Sequence, residues 1–81
     1  MQNFTVVFQK EPEGGFTVSV PMLPGCVTYG KNLEEARIMV TDAIKGYIAS
    51  LKKHDEPIPS SGETFIGTVQ LPITQSPSMH A

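Results

Sequence analysis

The chain has 81 residues, a length that allows one domain with a small core. Hydrophobic residues make up 40% of the chain, which is typical of a globular protein and excludes a disordered one. The net charge is −2, and the basic residues are scattered along the sequence. We therefore expect no nucleic acid as the main ligand, because phosphate binding requires clustered Lys and Arg.

Cysteine usage and the N-terminus indicate a cytoplasmic protein. Cys26 is the only cysteine, so an intramolecular disulfide and a Cys-rich metal site are excluded. Charges at Lys10, Glu11 and Glu13 interrupt any apolar segment of a secretory signal. No apolar run approaches the ~20 residues that cross a bilayer. We expect no membrane association, no metal and no cofactor.

Two antiparallel strands are predicted at the start of the chain. Residues 2–10 alternate between apolar and polar side chains, as a half-buried strand does. A polar loop with Gly14 and Gly15 follows, which is typical of a hairpin, and residues 16–20 alternate again. The side chains expected to share the core face are Phe4, Val6, Phe8, Phe16, Val18 and Val20.

A dense turn follows, with the sequence Pro21-Met22-Leu23-Pro24-Gly25. Two prolines and a glycine stop the second strand and reverse the chain. A third short strand is predicted at residues 26–30, with Val27 and Tyr29 on one side of it.

A helix is predicted from residue 33 to about residue 53. Asn32 is a good N-cap with Glu35 three residues later, as in a capping box, and Pro57 and Pro59 forbid continuation. The expected core-facing stripe comprises Leu33, Ala36, Val40, Ala43, Ile44, Tyr47, Ile48 and Leu51.

Ile38 lies outside that stripe, beside Asp42. It is either a single exposed apolar residue, which is common on protein surfaces, or a contact with another chain.

A fourth strand is predicted at residues 64–71, where Phe65, Val69 and Leu71 share one face. The order β-β-β-α-β predicts an α/β (α+β) fold: a single two-layer domain over residues 1–71. In it, one helix covers a four-stranded mixed sheet with strand order 3-2-1-4. Residues 72–81, with two prolines, are predicted to form a disordered tail.

No catalytic constellation can be assembled from the sequence. His54 follows the helix, His80 lies in the tail, and the acidic residues fall in loops or on the wet side of the helix. The pattern favours a binding module over an enzyme.

The segment from Gly14 to Gly30 contains Gly-Gly-Phe and then Pro-Met-Leu-Pro-Gly-Cys, and Leu33-Glu34-Glu35-Ala36 follows. This series resembles the HicB-like antitoxins of HicA–HicB toxin–antitoxin systems, over about residues 3–70. The chain departs from the family pattern at Met22, where an acidic residue is usual. The resemblance implies a partial RNase H-like domain without an active site.

The resemblance also implies a partner, a HicA-like toxin that cleaves mRNA and that this chain would neutralise by binding. Many members carry a C-terminal DNA-binding domain, and only a proline-bearing tail follows residue 71 here, so we expect no DNA binding by this chain alone. The residues predicted to contact the toxin are Pro21, Met22, Leu23, Pro24, Gly25, Tyr29, Ile38 and Asp42. Prolines 21 and 24 with Gly25 can equally be structural, capping the end of a strand.

An alternative from another class is a non-catalytic, homo-oligomeric or ligand-sensing domain without a toxin. The uncovered face and the edges of the predicted sheet could drive formation of a homodimer or a higher oligomer.

Overall fold

The computed structural model describes residues 2–60 and 64–74. Three strands come first, β1 (Val7–Lys10), β2 (Phe16–Ser19) and β3 (Val27–Gly30), and one helix, α1 (Leu33–Lys53), follows them. The described residues therefore form an α+β domain with a β-β-β-α order, as the sequence predicts for this part of the chain.

The three strands form an antiparallel sheet in the order β1-β2-β3. Phe8 lies opposite Val18, and Thr17 lies opposite Tyr29. β1 begins at Val7, so the first strand is shorter than the predicted range of residues 2–10. The hairpin loop uses Gly14 and Gly15 at φ values of 110° and 82°, a region that L side chains rarely adopt.

The helix begins and ends where the sequence predicts. The Asn32 side chain accepts a hydrogen bond of 2.8 Å from the backbone N–H of Glu35. In return, the Glu35 carboxylate accepts from the N–H of Lys31 at 2.6 Å, one residue before the position that a capping box uses. Two free N–H groups at the start of the helix are thus satisfied.

The C-terminal end of α1 is a Schellman motif built without glycine. The N–H of Glu56 donates to the carbonyl of Leu51 at 2.8 Å, and the N–H of Asp55 donates to that of Lys52 at 3.2 Å. Asp55 takes the left-handed position of this motif, with φ of 56°.

The core lies between the helix and one face of the sheet. Its fully buried members come from β2, the connection after it, and the first half of α1: Val18, Val20, Leu23, Cys26, Ala36 and Val40. Half-buried side chains surround them, mostly as predicted: Phe4, Val6, Phe8, Phe16, Met22, Ala43, Ile44, Tyr47 and Ile48.

The helix approaches the sheet most closely at Gly30. A Cβ atom on Gly30 would collide with the backbone N and Cα of Ala36. Leu33, one turn earlier, was expected in the core stripe but is 51% exposed. That prediction was wrong because Leu33 is the first helical residue and precedes Ala36, the first one buried against the sheet.

The fourth strand does not appear in the structure. Residues 64–74 carry no strand, and all of them are exposed. The described sheet is therefore three-stranded and antiparallel rather than four-stranded and mixed, and the predicted strand order 3-2-1-4 is reduced to 3-2-1. Alternation reports which side chains could share a face, but a strand also needs a backbone partner, and no described strand provides one here. Residues 75–81 of the predicted tail lie outside the described residues.

Candidate protein-binding surfaces

The turn after β2 divides its side chains between the core and the surface. Two successive tight turns form it, with hydrogen bonds of 2.9 Å from the Leu23 N–H to the Val20 carbonyl and from the Cys26 N–H to the Leu23 carbonyl. Leu23 is fully buried, and Met22 packs half-buried against the core. Leu23 therefore anchors the turn and presents no side chain to a partner.

The exposed part of the turn comprises Pro21, Pro24 and Gly25. The Pro24 carbonyl accepts a hydrogen bond of 2.9 Å from the Tyr47 hydroxyl on α1, which ties the turn to the helix. Gly25 has φ of 82°, so the turn requires a residue that tolerates a left-handed conformation.

Tyr29 lies on the face of the sheet that the helix leaves uncovered. Its hydroxyl donates to the Gly14 carbonyl at 3.0 Å, and its ring lies so close to Gly15 that a Cβ there would collide with it. Tyr29 thus fastens the β1–β2 loop to β3 while remaining 49% exposed, next to Val27 at 58%. Val7 of β1 lies on the same face, and these three side chains form the apolar part of the outer sheet face.

Ile38 and Asp42 lie on the opposite layer, on the outer face of α1. Together with Arg37 and Thr41 they line a shallow depression of about 240 Å³. Ile38 is 59% exposed, in keeping with its position outside the helical stripe. Since Tyr29 faces away from the helix and Ile38 faces away from the sheet, one flat interface cannot contain both.

A larger groove runs between the N-terminal part of the chain with β1 on one side and α1 on the other, with a volume of about 470 Å³. Its apolar lining comprises Phe4, Val6, Phe8, Val40 and Ile44, and its polar rim comprises Gln2, Asn3, Arg37, Thr41 and Lys45. Sequence reasoning placed the apolar residues in the core and missed the groove. One consideration could have predicted the groove: without a fourth strand beside β1, these apolar side chains are covered on one side only.

Among the described residues, Cys26 has a side chain whose acidity the fold changes. Burial raises the pKa of the Cys26 thiol, so the thiol stays protonated and weakly nucleophilic at neutral pH. In residues 2–60 and 64–74, no group of three or more His, Cys, Asp and Glu side chains could hold a metal ion. No helix within these ranges is long and apolar enough to span a membrane.

The sheet and the helix together match a known protein family. The sequence model of the HicB-like antitoxin of bacterial toxin–antitoxin systems matches residues 4–70, which include all three strands and the helix. The chain belongs to the HicB-like antitoxin family. The resemblance drawn from the Gly14–Gly30 segment and the helix start is thereby confirmed.

Relatives come from both archaea and bacteria. A UPF0150 protein of Thermoplasma acidophilum is 52% identical over 56 residues, which cover 69% of this chain and 81% of that protein. A UPF0150 protein of Synechocystis is 44% identical over 57 residues, covering 70% of this chain and 72% of the relative. A UPF0150 protein of Archaeoglobus fulgidus is 42% identical over 64 residues, which cover 79% of this chain and 84% of that protein. The names of these relatives state no activity.

Proposed function

We propose that this chain is an antitoxin that binds and neutralises a small HicA-type toxin that cleaves mRNA. The observation that carries the proposal is the family match over residues 4–70. The chain would act by binding rather than by catalysis, in the cytoplasm, where such a toxin meets mRNA. Three antiparallel strands followed by a helix are compatible with a partial RNase H-like domain.

The charge balance supports a basic partner. The chain carries eight acidic and six basic residues, and a toxin that cleaves RNA needs a positive surface. A negatively charged inhibitor is steered onto such a surface and so associates faster at low ionic strength.

We place the toxin contact on the outer face of α1, at Ile38 and Asp42. Pro24 and Tyr29 each have an intrachain role, since the first accepts from Tyr47 and the second donates to Gly14. Ile38 is more than half exposed and packs against no part of the core. An apolar side chain next to a carboxylate suits a toxin surface with an apolar centre and a basic rim.

The predicted contacts in the turn and at Tyr29 form a second candidate surface. Pro21, Met22, Pro24, Gly25 and Tyr29 would bind the toxin through the turn and the uncovered sheet face. Because this surface and the Ile38 surface belong to opposite layers, they make separable predictions.

The first experiment is co-expression of a tagged copy of this chain with the adjacent open reading frame. We expect a small basic protein to co-purify, and we expect that protein to arrest growth and cleave RNA only when this chain is removed. If nothing co-purifies and no neighbouring product is toxic, the antitoxin role is wrong. A homo-oligomeric or ligand-sensing domain would then be the better hypothesis.

Two matched variants then locate the interface. Ile38→Asp and Val27→Asp change side chains of nearly equal exposure, 59% and 58%, on opposite layers. We expect Ile38→Asp to weaken toxin binding at least about tenfold, as loss of a central contact does, and Val27→Asp to leave it within about twofold. The reverse result would transfer the interface to the turn and the sheet face. Circular dichroism of both variants controls for folding.

A further inference from the structure

Two further apolar surfaces lie uncovered within residues 2–60 and 64–74, and they are complementary. The first is the groove between β1 and α1, whose floor is formed by Phe4, Val6, Phe8, Val40 and Ile44. β1 is also an edge strand, because no other strand within residues 2–60 and 64–74 pairs with its outer side. A groove of this kind offers both an apolar floor and a row of backbone hydrogen-bonding groups.

The second surface is the segment that follows the helix. Residues 64–74 contain no charged side chain, and their large apolar residues are almost fully in solvent: Phe65 at 81%, Ile66 at 65%, Val69 at 86%, Leu71 at 69% and Ile73 at 76%. So many adjacent apolar side chains without cover indicate an interaction site. The alternation over residues 64–71 is that of a strand that lacks its sheet.

The position of the chain before this segment connects the two surfaces. The Gln2 side-chain amide donates to the Pro59 carbonyl at 2.6 Å, so the chain leaving α1 returns to the N-terminal end of β1. Gln2 also lines the groove. Pro59, five residues before the exposed segment, therefore lies beside the entrance of the groove, while residues 64–74 leave the groove of their own chain open.

We propose that residues 64–71 of one copy occupy the groove of a second copy, and that the exchange is reciprocal. Each segment would add to β1 of the other copy as a parallel fourth strand, with Phe65, Val69 and Leu71 on the apolar floor. Each copy has one groove and one segment, so a two-fold axis satisfies both and leaves no open end. Because Pro59 lies beside a groove entrance, a two-fold axis close to the two entrances would bring each segment next to the groove of the other copy.

A second copy fits this groove better than an acidic or basic partner does. The segment is uncharged and rich in β-branched and aromatic residues, and it matches the apolar floor of the groove in chemistry. Equal numbers of grooves and segments are guaranteed because both are on the same chain. This proposal does not depend on the toxin, because it concerns neither Ile38 nor the outer sheet face.

Sedimentation velocity of the full chain gives the first test. We expect a dimer for the wild-type chain, a monomer for Val69→Asp, and a dimer for Thr68→Asp. The last variant is the matched control, since it adds the same charge one residue earlier, on the opposite face of the strand. Val69 contacts nothing buried in the single chain, so Val69→Asp does not threaten the fold. A wild-type monomer, or a dimer that survives Val69→Asp, would overturn the proposal.

An isotope-filtered NMR experiment then shows which copy provides the strand. Chains labelled with ¹³C and unlabelled chains are mixed in denaturant and refolded together, so that mixed dimers form. We expect NOEs between the methyl groups of Val69 and Leu71 in one copy and the rings of Phe4 and Phe8 in the other. If these NOEs occur only within one copy, the fourth strand docks in its own chain and the exchange is wrong.

Discussion

Gly30 determines how closely the helix can approach the sheet. Gly30 has no Cβ atom, and the Ala36 backbone occupies the space where that atom would lie. The close contact between β3 and α1 therefore requires glycine at this position. Neither partner can move freely, because Ala36 lies in the first turns of the helix and Gly30 is paired with Phe16 in the sheet.

We therefore expect Gly30→Ala to lower the free energy of unfolding by about 2 kcal/mol or more, as overpacking of a core does. Gly46→Ala is the matched control, since Gly46 lies within α1 and a Cβ there meets nothing within 4 Å. It should raise the free energy of unfolding by about 1 kcal/mol, through helix propensity. Urea denaturation of both variants measures these changes. Equal effects of the two substitutions would contradict the close packing at Gly30.

Individual residues also show where sequence reasoning succeeds. Ile38 could be predicted to lie outside the core because the direction of a helical side chain follows from its position in the sequence. The burial of Leu23 could not be predicted from the repeat of apolar residues in a strand or a helix, because Leu23 lies in a turn whose path is set by two prolines. Its orientation depends on the Val20 and Cys26 hydrogen bonds, which only the folded chain reveals.

The ends of α1 were predictable because local chemistry determines both of them. Asn32 and Glu35 define the start, and the prolines at 57 and 59 forbid continuation. The Schellman motif at the end was not predicted, because Asp55 stands where glycine is usual. Left-handed backbone costs an aspartate more than a glycine, and its carboxylate lies at the negative end of the helix dipole.

We expect Asp55→Gly to raise the free energy of unfolding by about 0.5 kcal/mol, because it relieves backbone strain and removes an unfavourable charge. Ala49→Gly, at an exposed position within α1, is the opposite control and should lower it by about 1 kcal/mol. Thermal unfolding followed by circular dichroism compares the two. If Asp55→Gly instead lowers the free energy of unfolding, the Asp55 side chain makes a contact that stabilises the fold by more than the backbone strain destabilises it.

The predicted fourth strand shows what an alternating sequence pattern cannot predict about a strand. Phe65, Val69 and Leu71 alternate as a strand does, and the groove beside β1 has the lining that such a strand would need. Residues 64–71 form no strand in the structure, because alternation predicts only which side chains share a face and not whether a neighbouring strand, from this copy or another, is available. The same gap explains why the groove residues were assigned to a closed core.

Exchange of residues 64–71 between two copies would make the thermal stability of the protein depend on its concentration. Association of folded chains into a dimer stabilises them by mass action, so the midpoint temperature rises with protein concentration. We expect such a rise for the wild-type chain over about a hundredfold range of concentration, and none for Val69→Asp. Differential scanning calorimetry measures it. A wild-type midpoint that does not depend on concentration would contradict the exchange.

The surfaces proposed for toxin binding and for self-association are distinct in position. Ile38 and Asp42 line the shallow depression on the outside of the helix, whereas the groove opens between the helix and β1. Arg37 and Thr41 border both, so the two surfaces are neighbours along α1. A dimer would then display two toxin-binding faces, and a toxin bound to one copy would lie close to the segment of the other.

The core occupies a short stretch of the chain, and the six buried side chains among the described residues all lie between Val18 and Val40. Closing contacts between residues so near in sequence costs little loop entropy, and such contacts form quickly. During synthesis, which proceeds from the N-terminus, the core residues are complete before residues 64–74 have been translated. The core can thus form within one copy, and in the proposed exchange the association of two copies through residues 64–71 comes after that step.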